Sequence, residues 1–314
     1  MNEHTRDRMD RRGLLQCMGW VGTGALFTMT AGCAASTSLD RALAAQTSPR
    51  ATTGFSFLQI SDTHIGFNRP ANPDARATCR QAVDMIKGLT VKPDFILHTG
   101  DISHLSKDVE FADADDILSE AGLPIFHVPG EHDMLDEGGG QAYLARYGRG
   151  TLGAGWYSFD HGGVHFVALI NVADLRPGGM GKLGIEQLAW LRDDLGGQSD
   201  STPIVVFAHI PLWTVYADWG WGTDDSAEAL TLLRRFGSVT VLNGHIHQVL
   251  QKTEGNIRFH SALSTAYPQP APGTAPSPGP LVVPAGRLHA LLGIRTASVV
   301  SGDGPIALLD TPLS

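Results

Sequence analysis

Cysteine is scarce in this sequence, and the body of the chain has no run of basic residues. Three of the 314 residues are cysteines, and two of them, Cys17 and Cys33, lie near the N terminus. A mature chain that begins after both would keep one thiol, Cys79, and no internal disulfide. The net charge of −9 and the lack of Lys/Arg clusters argue against a nucleic-acid polymer as partner, because such partners need a basic surface. A small phosphorylated substrate is compatible with this charge.

Long apolar runs and internal repeats are also missing. The apolar segment at 19–31 is too short and too rich in glycine to span a bilayer. With 42% hydrophobic residues the chain can still bury a substantial core, so we expect one large domain or two smaller ones. The pattern does not indicate an oligomeric state.

The N-terminal segment resembles a twin-arginine export signal. Arg11-Arg12 precedes the short apolar segment, and Ala42-Leu43-Ala44 fits the small-x-small pattern of a cleavage site. We therefore predict an export signal over 1–44, a linker over 45–54, and a periplasmic or otherwise exported protein carried by the twin-arginine export machinery. Cys33 weakly resembles the cysteine of a lipoprotein cleavage box, which leaves open a membrane tether through Cys33 or an uncleaved leader. The alternative is an arginine-rich disordered tail.

Strand-like and helix-like segments alternate in the rest of the chain. Apolar and β-branched runs predict strands at 55–60, 94–98, 124–128, 156–160, 164–172, 204–208 and 239–242. Helical spacing of apolar residues predicts helices at 74–89, 108–121, 185–195 and 225–236. Asp225 and Glu228 are placed to cap the last of these helices. The Pro/Gly-rich stretch 267–280 is predicted to be an extended loop, with strand-like runs resuming at Leu281 and Leu288. This alternation predicts an α/β layered fold with mixed sheets.

Titratable side chains follow five of the predicted strands, at the point where each strand ends. They are three carboxylates and four imidazoles: Asp62, His64, Asp101, Glu131, His209, His245 and His247. Ligand sites in α/β folds are built at strand ends, so we expect these side chains to lie together. Nitrogen and oxygen ligands without thiolate suit Zn, Mn or Fe, and seven ligands exceed the needs of one tetrahedral site. Because a carboxylate can bridge, two ions about 3.5–4 Å apart are a natural solution.

The order of these motifs resembles that of the calcineurin-like metallophosphoesterases. The resemblance rests on Asp62-Thr63-His64, Gly100-Asp101, Gly130-Glu131-His132-Asp133, His209 after an apolar strand, and Gly244-His245-Ile246-His247. In length and layout the chain is similar to the cyclic-nucleotide phosphodiesterase-like branch. The resemblance implies a two-sheet mixed β-sandwich flanked by helices, in one catalytic domain over 55–314.

The resemblance also implies roles for individual residues. One metal ion would have four ligands: Asp62, His64, Asp101 and His247. The second would share Asp101 as a bridge and have three further ligands: Glu131, His209 and His245. The two ions would be divalent or trivalent Fe, Mn or Zn and would acidify a bridging water. His132 would stabilise developing charge or protonate the leaving oxygen, with Asp133 orienting its ring.

Glu131 departs from the family pattern, which usually has Asn at this position. A carboxylate adds a negative charge to the site. With two divalent ions, a site with Asn here has two carboxylates and a formal charge of 4 − 2 = +2, whereas the site with Glu131 has three carboxylates and a formal charge of 4 − 3 = +1. A less positive site should acidify its water less and tolerate a trivalent ion better. We expect Glu131 to alter metal preference rather than to abolish binding.

The sequence therefore favours a metal-dependent hydrolase of phosphate esters acting on a small phosphorylated substrate, with diesters favoured over monoesters through the branch resemblance alone. One alternative is a non-catalytic periplasmic metal- or phosphate-binding protein on the same fold. His132 and Asp133 argue against this alternative, because a pure binder needs no proton donor. Another is an enzyme that uses the same metals on a non-phosphate ester.

Further polar and aromatic residues could have either a structural or a functional role. The other histidines of the body are predicted to be hydrogen-bonded structural residues: His98, His104, His127, His161, His165, His260 and His289. His104, close after Asp101, is the one most expected to line the site instead. Four aromatic residues follow His209 and form either a stacking wall for a nucleobase or a hydrophobic cover: Trp213, Tyr216, Trp219 and Trp221. Arg69 and Arg76 follow the first motif and could touch a phosphate, although solvent-facing charge is the commoner role.

Overall fold

A computed structural model describes residues 25–30, 33–38, 54–284, 286–300 and 306–314. The chain divides into two units, residues 1–53 and 54–314. In the first unit, strands β1 (Ala25–Thr30) and β2 (Cys33–Ser38) pair antiparallel. The twin-arginine motif, the cleavage site and nearly all of the predicted linker lie outside the described residues. Among the helices that are described, none is long and apolar enough to cross a membrane.

The second unit alternates strands and helices, as the sequence predicts. Its described strands are β3 (Phe55–Ile60), β4 (Ile96–Thr99), β5 (Ile125–Val128), β6 (Tyr157–His161), β7 (Val164–Ala168), β8 (Ile204–Phe207), β9 (Val239–Asn243), β10 (Gln251–Glu254), β11 (Ile257–Ser261), β12 (Gly293–Val299) and β13 (Ala307–Pro312). Its described α-helices are α1 (Ala75–Lys87), α2 (Asp108–Ser119), α3 (Gln141–Tyr147), α4 (Ile185–Gly196) and α5 (Ser226–Leu233). Short 3-10 helices lie at Glu131–Met134, Ala217–Trp219 and His289–Leu291.

The strands form two mixed sheets. The first has the order β13-β12-β3-β4-β5, with β3, β4 and β5 parallel and β12 antiparallel to both of its neighbours. The second has the order β10-β11-β9-β8-β7-β6, with β11, β9, β8 and β7 parallel and antiparallel strands at both edges. Neighbouring parallel strands deliver their following loops to the same edge of a sheet, where ligand sites form.

The two sheets pack face to face, and helices cover their outer faces. Phe57 of the first sheet and Phe166 and Phe207 of the second lie in the buried layer between them. Helices α1 and α2 bury Cys79 and other apolar residues against the outer face of the first sheet, and α4 and α5 do the same on the second. Burial of one large apolar side chain stabilises the fold by roughly 1.5–3 kcal/mol. The predicted two-sheet sandwich flanked by helices is therefore confirmed.

Two local predictions are wrong. Residues 281–284 and 286–288 contain no strand, and the chain returns to the first sheet only at β12. Asp225 does not cap its own helix α5, because its carboxylate accepts hydrogen bonds of 2.8 Å from the backbone nitrogens of Leu183 and Gly184, at the start of α4. Glu228 pairs instead with Arg192 of α4. Asp225 and Glu228 thus join two neighbouring helices on the second sheet.

Candidate metal centre

The loops after β3 and β4 lie side by side at one edge of the first sheet. The backbone nitrogen of Asp62 donates to the carbonyl of Gly100, and that of His64 donates to the carbonyl of Asp101, both at 2.9 Å. In the second sheet, the backbone nitrogen of Gly244 donates to the carbonyl of His209 at 3.1 Å. The parallel register of the strands therefore brings these loops together, as their position at strand ends predicts.

The backbone is strained at these loops. Six non-glycine residues of the described chain have a positive φ angle. Five of them are predicted metal ligands, with φ between 40° and 70°: Asp62, His64, Asp101, His245 and His247. Residues other than glycine rarely adopt this backbone conformation, and such strain clusters at functional sites. Here it turns the side chains of successive loops toward one point.

Two glycines let the loops approach closely. A Cβ atom at Gly130 would collide with the carboxylate and backbone nitrogen of Asp101. A Cβ at Gly244 would collide with the side chains of Ser61 and Asp62. Any larger residue at either position would push the loops apart.

One group of ligand atoms comes from the loops after β3 and β9. Oδ1 of Asp62 lies 3.2 Å from Nε2 of His247, and Nε2 of His247 lies 3.4 Å from Nε2 of His64. All three side chains are buried. Their ligand atoms lie within 4.8 Å of one another, which is compatible with one shared metal ion.

A second group comes from the loops after β5, β8 and β9. Oε2 of Glu131 lies 2.9 Å from Nε2 of His209, and Oε1 of Glu131 lies 3.0 Å from Nδ1 of His245. Glu131, His209 and His245 each offer one ligand atom, and these three atoms lie within 4.8 Å of one another. The side chain of Glu131 is one methylene longer than that of the usual Asn, and its carboxylate contacts both imidazoles.

Asp101 lies between the two groups. Its Oδ2 atom is 3.4 Å from Nε2 of His64 in the first group and 3.4 Å from Nε2 of His209 in the second. A carboxylate with one oxygen at equal distance from both groups is placed to bridge two ions. All seven predicted ligands therefore meet in one site.

The chemistry of these atoms fits metal ions. Among the described residues, Oε2 of Glu131 and Nε2 of His209 are buried without a hydrogen-bond partner. Unpaired buried polar atoms are costly, and bound ions are one explanation for them. Burial by itself would raise the pKa of Glu131, but the adjacent His245 and His209 hold that pKa well below its usual range. Burial likewise opposes ionisation of Asp62, yet His247 and His209 lower its pKa.

Two backbone carbonyls fix the imidazole tautomers. Nδ1 of His209 lies 2.7 Å from the carbonyl of Thr99, and Nδ1 of His247 lies 2.6 Å from the carbonyl of Tyr267. A carbonyl can only accept, so Nδ1 carries a proton in both rings, and Nε2 is the nitrogen that faces the site and whose lone pair is available to a metal ion in the neutral ring. This is the usual outer support of metal-binding histidines.

His132 lines the cavity over these ligands. Its Nδ1 donates to the carbonyl of His104 at 2.7 Å, and its backbone nitrogen donates to Oδ1 of Asp101 at 2.9 Å. Burial opposes protonation of the ring, but the carboxylates of Asp101 and Glu131 outweigh it and raise the pKa of His132. The ring is thus held with Nε2 as its free proton-carrying atom.

Asp133 does not orient the His132 ring, so that expectation is wrong. Its carboxylate accepts hydrogen bonds from three backbone nitrogens and one hydroxyl: those of Gly130, Ile102 and Ser103, and Oγ of Ser103. Burial and the nearby Asp101 raise the pKa of Asp133 to about 6. Asp133 therefore ties the loop after β5 to the loop after β4.

A cavity of about 390 Å³ opens over the metal ligands. Trp219 and Trp221 line it, whereas Trp213 packs on the core beside Phe259 and Tyr216 packs edge-on against Trp219. The aromatic loop is thus a cavity wall at two positions and a cover at the other two.

The remaining histidines and arginines differ in whether they line the cavity. His104 lines the cavity, as the exception among the other histidines. His98, His161 and His165 have hydrogen-bond partners, as predicted, but Nδ1 of His260 has none. Neither Arg69 nor Arg76 lines the cavity, so the structure favours the solvent-facing role for both. Arg76 pairs with Asp113 at 3.0 Å, and Arg69 is exposed.

Sequence reasoning missed the residues that the segment after β11 contributes. Tyr267 and Gln269 line the cavity, and so do Pro278, Gly279 and Pro280. Nε2 of Gln269 donates to the carbonyl of His245 at 2.7 Å. Strand β11 was not predicted from the sequence, and its parallel pairing with β9 is what brings the following segment to the site.

A model of the calcineurin-like phosphoesterase family matches residues 55–249. A protein of Synechococcus sp. named as a probable cyclic nucleotide phosphodiesterase is 29% identical over 216 residues, covering 67% of this chain and 80% of that protein. The glycerophosphodiester phosphodiesterase of Enterobacter lignolyticus is 28% identical over 205 residues, covering 60% of this chain and 70% of that protein.

Solved structures have the same fold. A dimetal phosphatase from Danio rerio superposes with a TM-score of 0.54 at 15% identity, covering 82% of this chain and 98% of that one. The purple acid phosphatase PPD1 of yellow lupin superposes with a TM-score of 0.56 at 13% identity, covering 83% of this chain and 52% of that one. At these identities the likeness concerns the fold alone.

Proposed function

The chain belongs to the calcineurin-like phosphoesterase family, and we propose that it is a phosphodiesterase with a dinuclear metal centre. Membership of the family and the phosphodiesterase relatives support a metal-dependent hydrolase of phosphate esters. The position of Asp101, with one oxygen 3.4 Å from a ligand nitrogen of each group, carries the proposal of two ions. Bound there, the ions would supply Lewis acidity toward phosphoryl oxygens and would acidify water.

The residues of the chain would hold the metals and move one proton. Asp62, His64 and His247 would hold one ion, with Asp101 as bridge. On the other side of Asp101, Glu131, His209 and His245 would hold the second. His132 is fixed through Nδ1, so its Nε2–H is the proton available to the leaving oxygen.

The preference for diesters rests on the cavity and on the names of the relatives. A monoester needs room only for its phosphate and one ester group, whereas a diester has a second organic group to place. The cavity has such room, because Leu175, Trp219 and Pro278 extend its wall beyond the ligands. Trp219, at 8% exposure, is the indole that an aromatic group there would touch.

The decisive experiment is hydrolysis of a generic aryl phosphodiester and of the matching monoester. Mature protein from Ala45 onward is reconstituted separately with Mn, Zn and Fe, and Asp101→Asn serves as the blank. We expect turnover above the blank, with the diester preferred. Full metal occupancy without turnover of either ester would instead favour a binding protein. Faster turnover of the monoester would retain the hydrolase and reject the diester preference.

We also propose that the protein is exported through the twin-arginine pathway. Arg11-Arg12, the apolar segment and the Ala42-Leu43-Ala44 site support this, and the pathway carries folded proteins that have already received their metals. Changing both arginines to lysine should retain the protein in the cytoplasm at its full length. Equal export of the wild type and the double lysine variant would reject the proposal.

A further inference from the structure

Tyr267 reaches the metal ligands from outside the segment that matches the family model. That segment ends at residue 249, and Tyr267 follows β11. Its position is fixed by Ser264, whose hydroxyl donates to the carbonyl of Asp62 at 2.8 Å and accepts from the backbone nitrogen of Tyr267 at 3.2 Å. The side chain is only 4% exposed, yet it lines the cavity.

Tyr267 contacts both imidazoles of the first ligand group. Its carbonyl accepts from Nδ1 of His247 at 2.6 Å, and its hydroxyl oxygen lies 3.1 Å from Nε2 of His64. The phenol ring stacks on His64 with a centroid distance of 4.7 Å and an interplanar angle of 29°. The phenol ring also packs against the ring of Phe67, with a centroid distance of 4.4 Å.

The hydroxyl and a metal ion cannot share the same nitrogen. Nε2 of His64 has one lone pair, and that lone pair would be the ligand to the first ion. Nε2 of His64 is also the hydroxyl's hydrogen-bond partner in the described chain. Metal binding therefore releases a buried O–H donor at the edge of the cavity, and an unpaired buried donor is unfavourable.

We propose that the hydroxyl of Tyr267 is a substrate-binding donor that contacts a phosphoryl oxygen held at the first metal position. This inference rests on the proposed phosphoester chemistry. The cavity is the space that the freed hydroxyl faces, and an anionic oxygen is the strongest acceptor that a phosphate ester brings into it. The carbonyl of the same residue keeps His247 in its metal-binding tautomer, so Tyr267 couples metal positioning to substrate binding.

The substitution Tyr267→Phe isolates the hydroxyl. It keeps the ring on His64 and Phe67, and it keeps the carbonyl that holds His247. Tyr147→Phe is a matched control, because Tyr147 does not line the cavity over the candidate ligands. The Tyr147 ring stacks on His127 with a centroid distance of 4.3 Å and an angle of 26°, and its hydroxyl has a side-chain partner in Asp115 at 2.7 Å.

Binding of inorganic phosphate to the metal-loaded proteins, measured by calorimetry, tests the proposal beside metal content. We expect Tyr267→Phe to keep the wild-type metal stoichiometry and to bind phosphate about 10- to 100-fold more weakly, the loss expected for a hydrogen bond to a charged acceptor. Tyr147→Phe should bind phosphate like the wild type.

Three results would overturn the inference: equal phosphate affinity in wild type and Tyr267→Phe, loss of metal from Tyr267→Phe, or no phosphate binding by the metal-loaded wild type. Diester turnover is measured separately on the same samples. Turnover with no effect of the hydroxyl would reject this inference and retain the proposed function. Phosphate binding that depends on the hydroxyl, without turnover, would do the reverse.

Discussion

Oε2 of Glu131 and Nε2 of His209 lie 2.9 Å apart, yet neither atom has a hydrogen-bond partner. The distance is short enough for a hydrogen bond, but the two groups are not oriented for one, and both atoms face the same point. Two buried atoms that converge without bonding each other are arranged as ligands of a third species. Glu131 thus lies where the family usually has a neutral amide and brings a full negative charge to that point.

Glu131→Asn should change metal preference without emptying the site. The wild type should fill two sites, and the variant should favour divalent ions over trivalent iron, because its formal charge with two divalent ions rises from +1 to +2. Metal analysis after loading with equal Zn and Fe measures this. Fewer than two filled sites in the wild type, together with two in the variant, would contradict the hypothesis.

His132→Ala should slow hydrolysis about 10²- to 10⁴-fold for esters with a poor alkoxide leaving group, because the variant has no Nε2 proton to give. The loss should be smaller for aryl esters, whose leaving oxygen needs little protonation. Rates measured across esters of graded leaving-group acidity decide the question. An equal loss for all esters would mean that His132 binds substrate and does not act as an acid.

Arg295→Met should strongly destabilise the fold. The guanidinium is 1% exposed and bonds Asp310 at 2.9 and 3.0 Å, Gln59 at 3.1 Å and the carbonyl of Ser261 at 2.8 Å, linking the two sheets. The substitution leaves Oε1 of the buried Gln59 without this donor, and an unsatisfied buried polar group costs about 1–3 kcal/mol. Denaturant unfolding measures it. Arg80→Met, which breaks a surface pair with Glu120, should stay within about 1 kcal/mol.

His165 should stabilise the protein more in acid than in base. Burial lowers the affinity of its ring for a proton, but hydrogen bonds to Asp194 and Asp160 outweigh it, so its pKa is raised in the folded chain. The folded state therefore binds the proton more tightly than the unfolded chain. Its stabilising contribution is complete below the unfolded pKa of about 6.5 and disappears as pH rises through the folded pKa.

The free energy of unfolding of wild type and His165→Asn, measured between about pH 5 and pH 9, tests this sign. The difference between the two proteins should shrink as pH rises. His289→Asn serves as the control substitution, because the His289 side chain is exposed. A difference for His165→Asn that grows with pH would contradict the assignment.

Local patterns were sufficient for strands β3 to β9 and helices α1, α2, α4 and α5, and for the grouping of the candidate ligands, whereas β10, β11, β13 and α3 were not predicted. The runs before Asp62, Asp101 and His209 are strands because apolar, β-branched stretches of four to six residues suit a buried sheet. Parallel strands must release their loops at one edge, so strand-end carboxylates and imidazoles could be grouped from the sequence. The same reasoning failed for the apolar run at Leu281, because a short apolar segment does not specify which strand it pairs with.

The sequence by itself determined the α/β alternation, the seven candidate ligands and the departure at Glu131, because each depends on residue type and on order along the chain. The tertiary structure alone decided how these groups are divided. It set the 3.4 Å spacing of Asp101 to both sides, turned Asp133 away from His132 and brought Tyr267 onto His64. Contacts of this kind join loops that are distant in sequence, and only the packing of two sheets sets the distances between their loops.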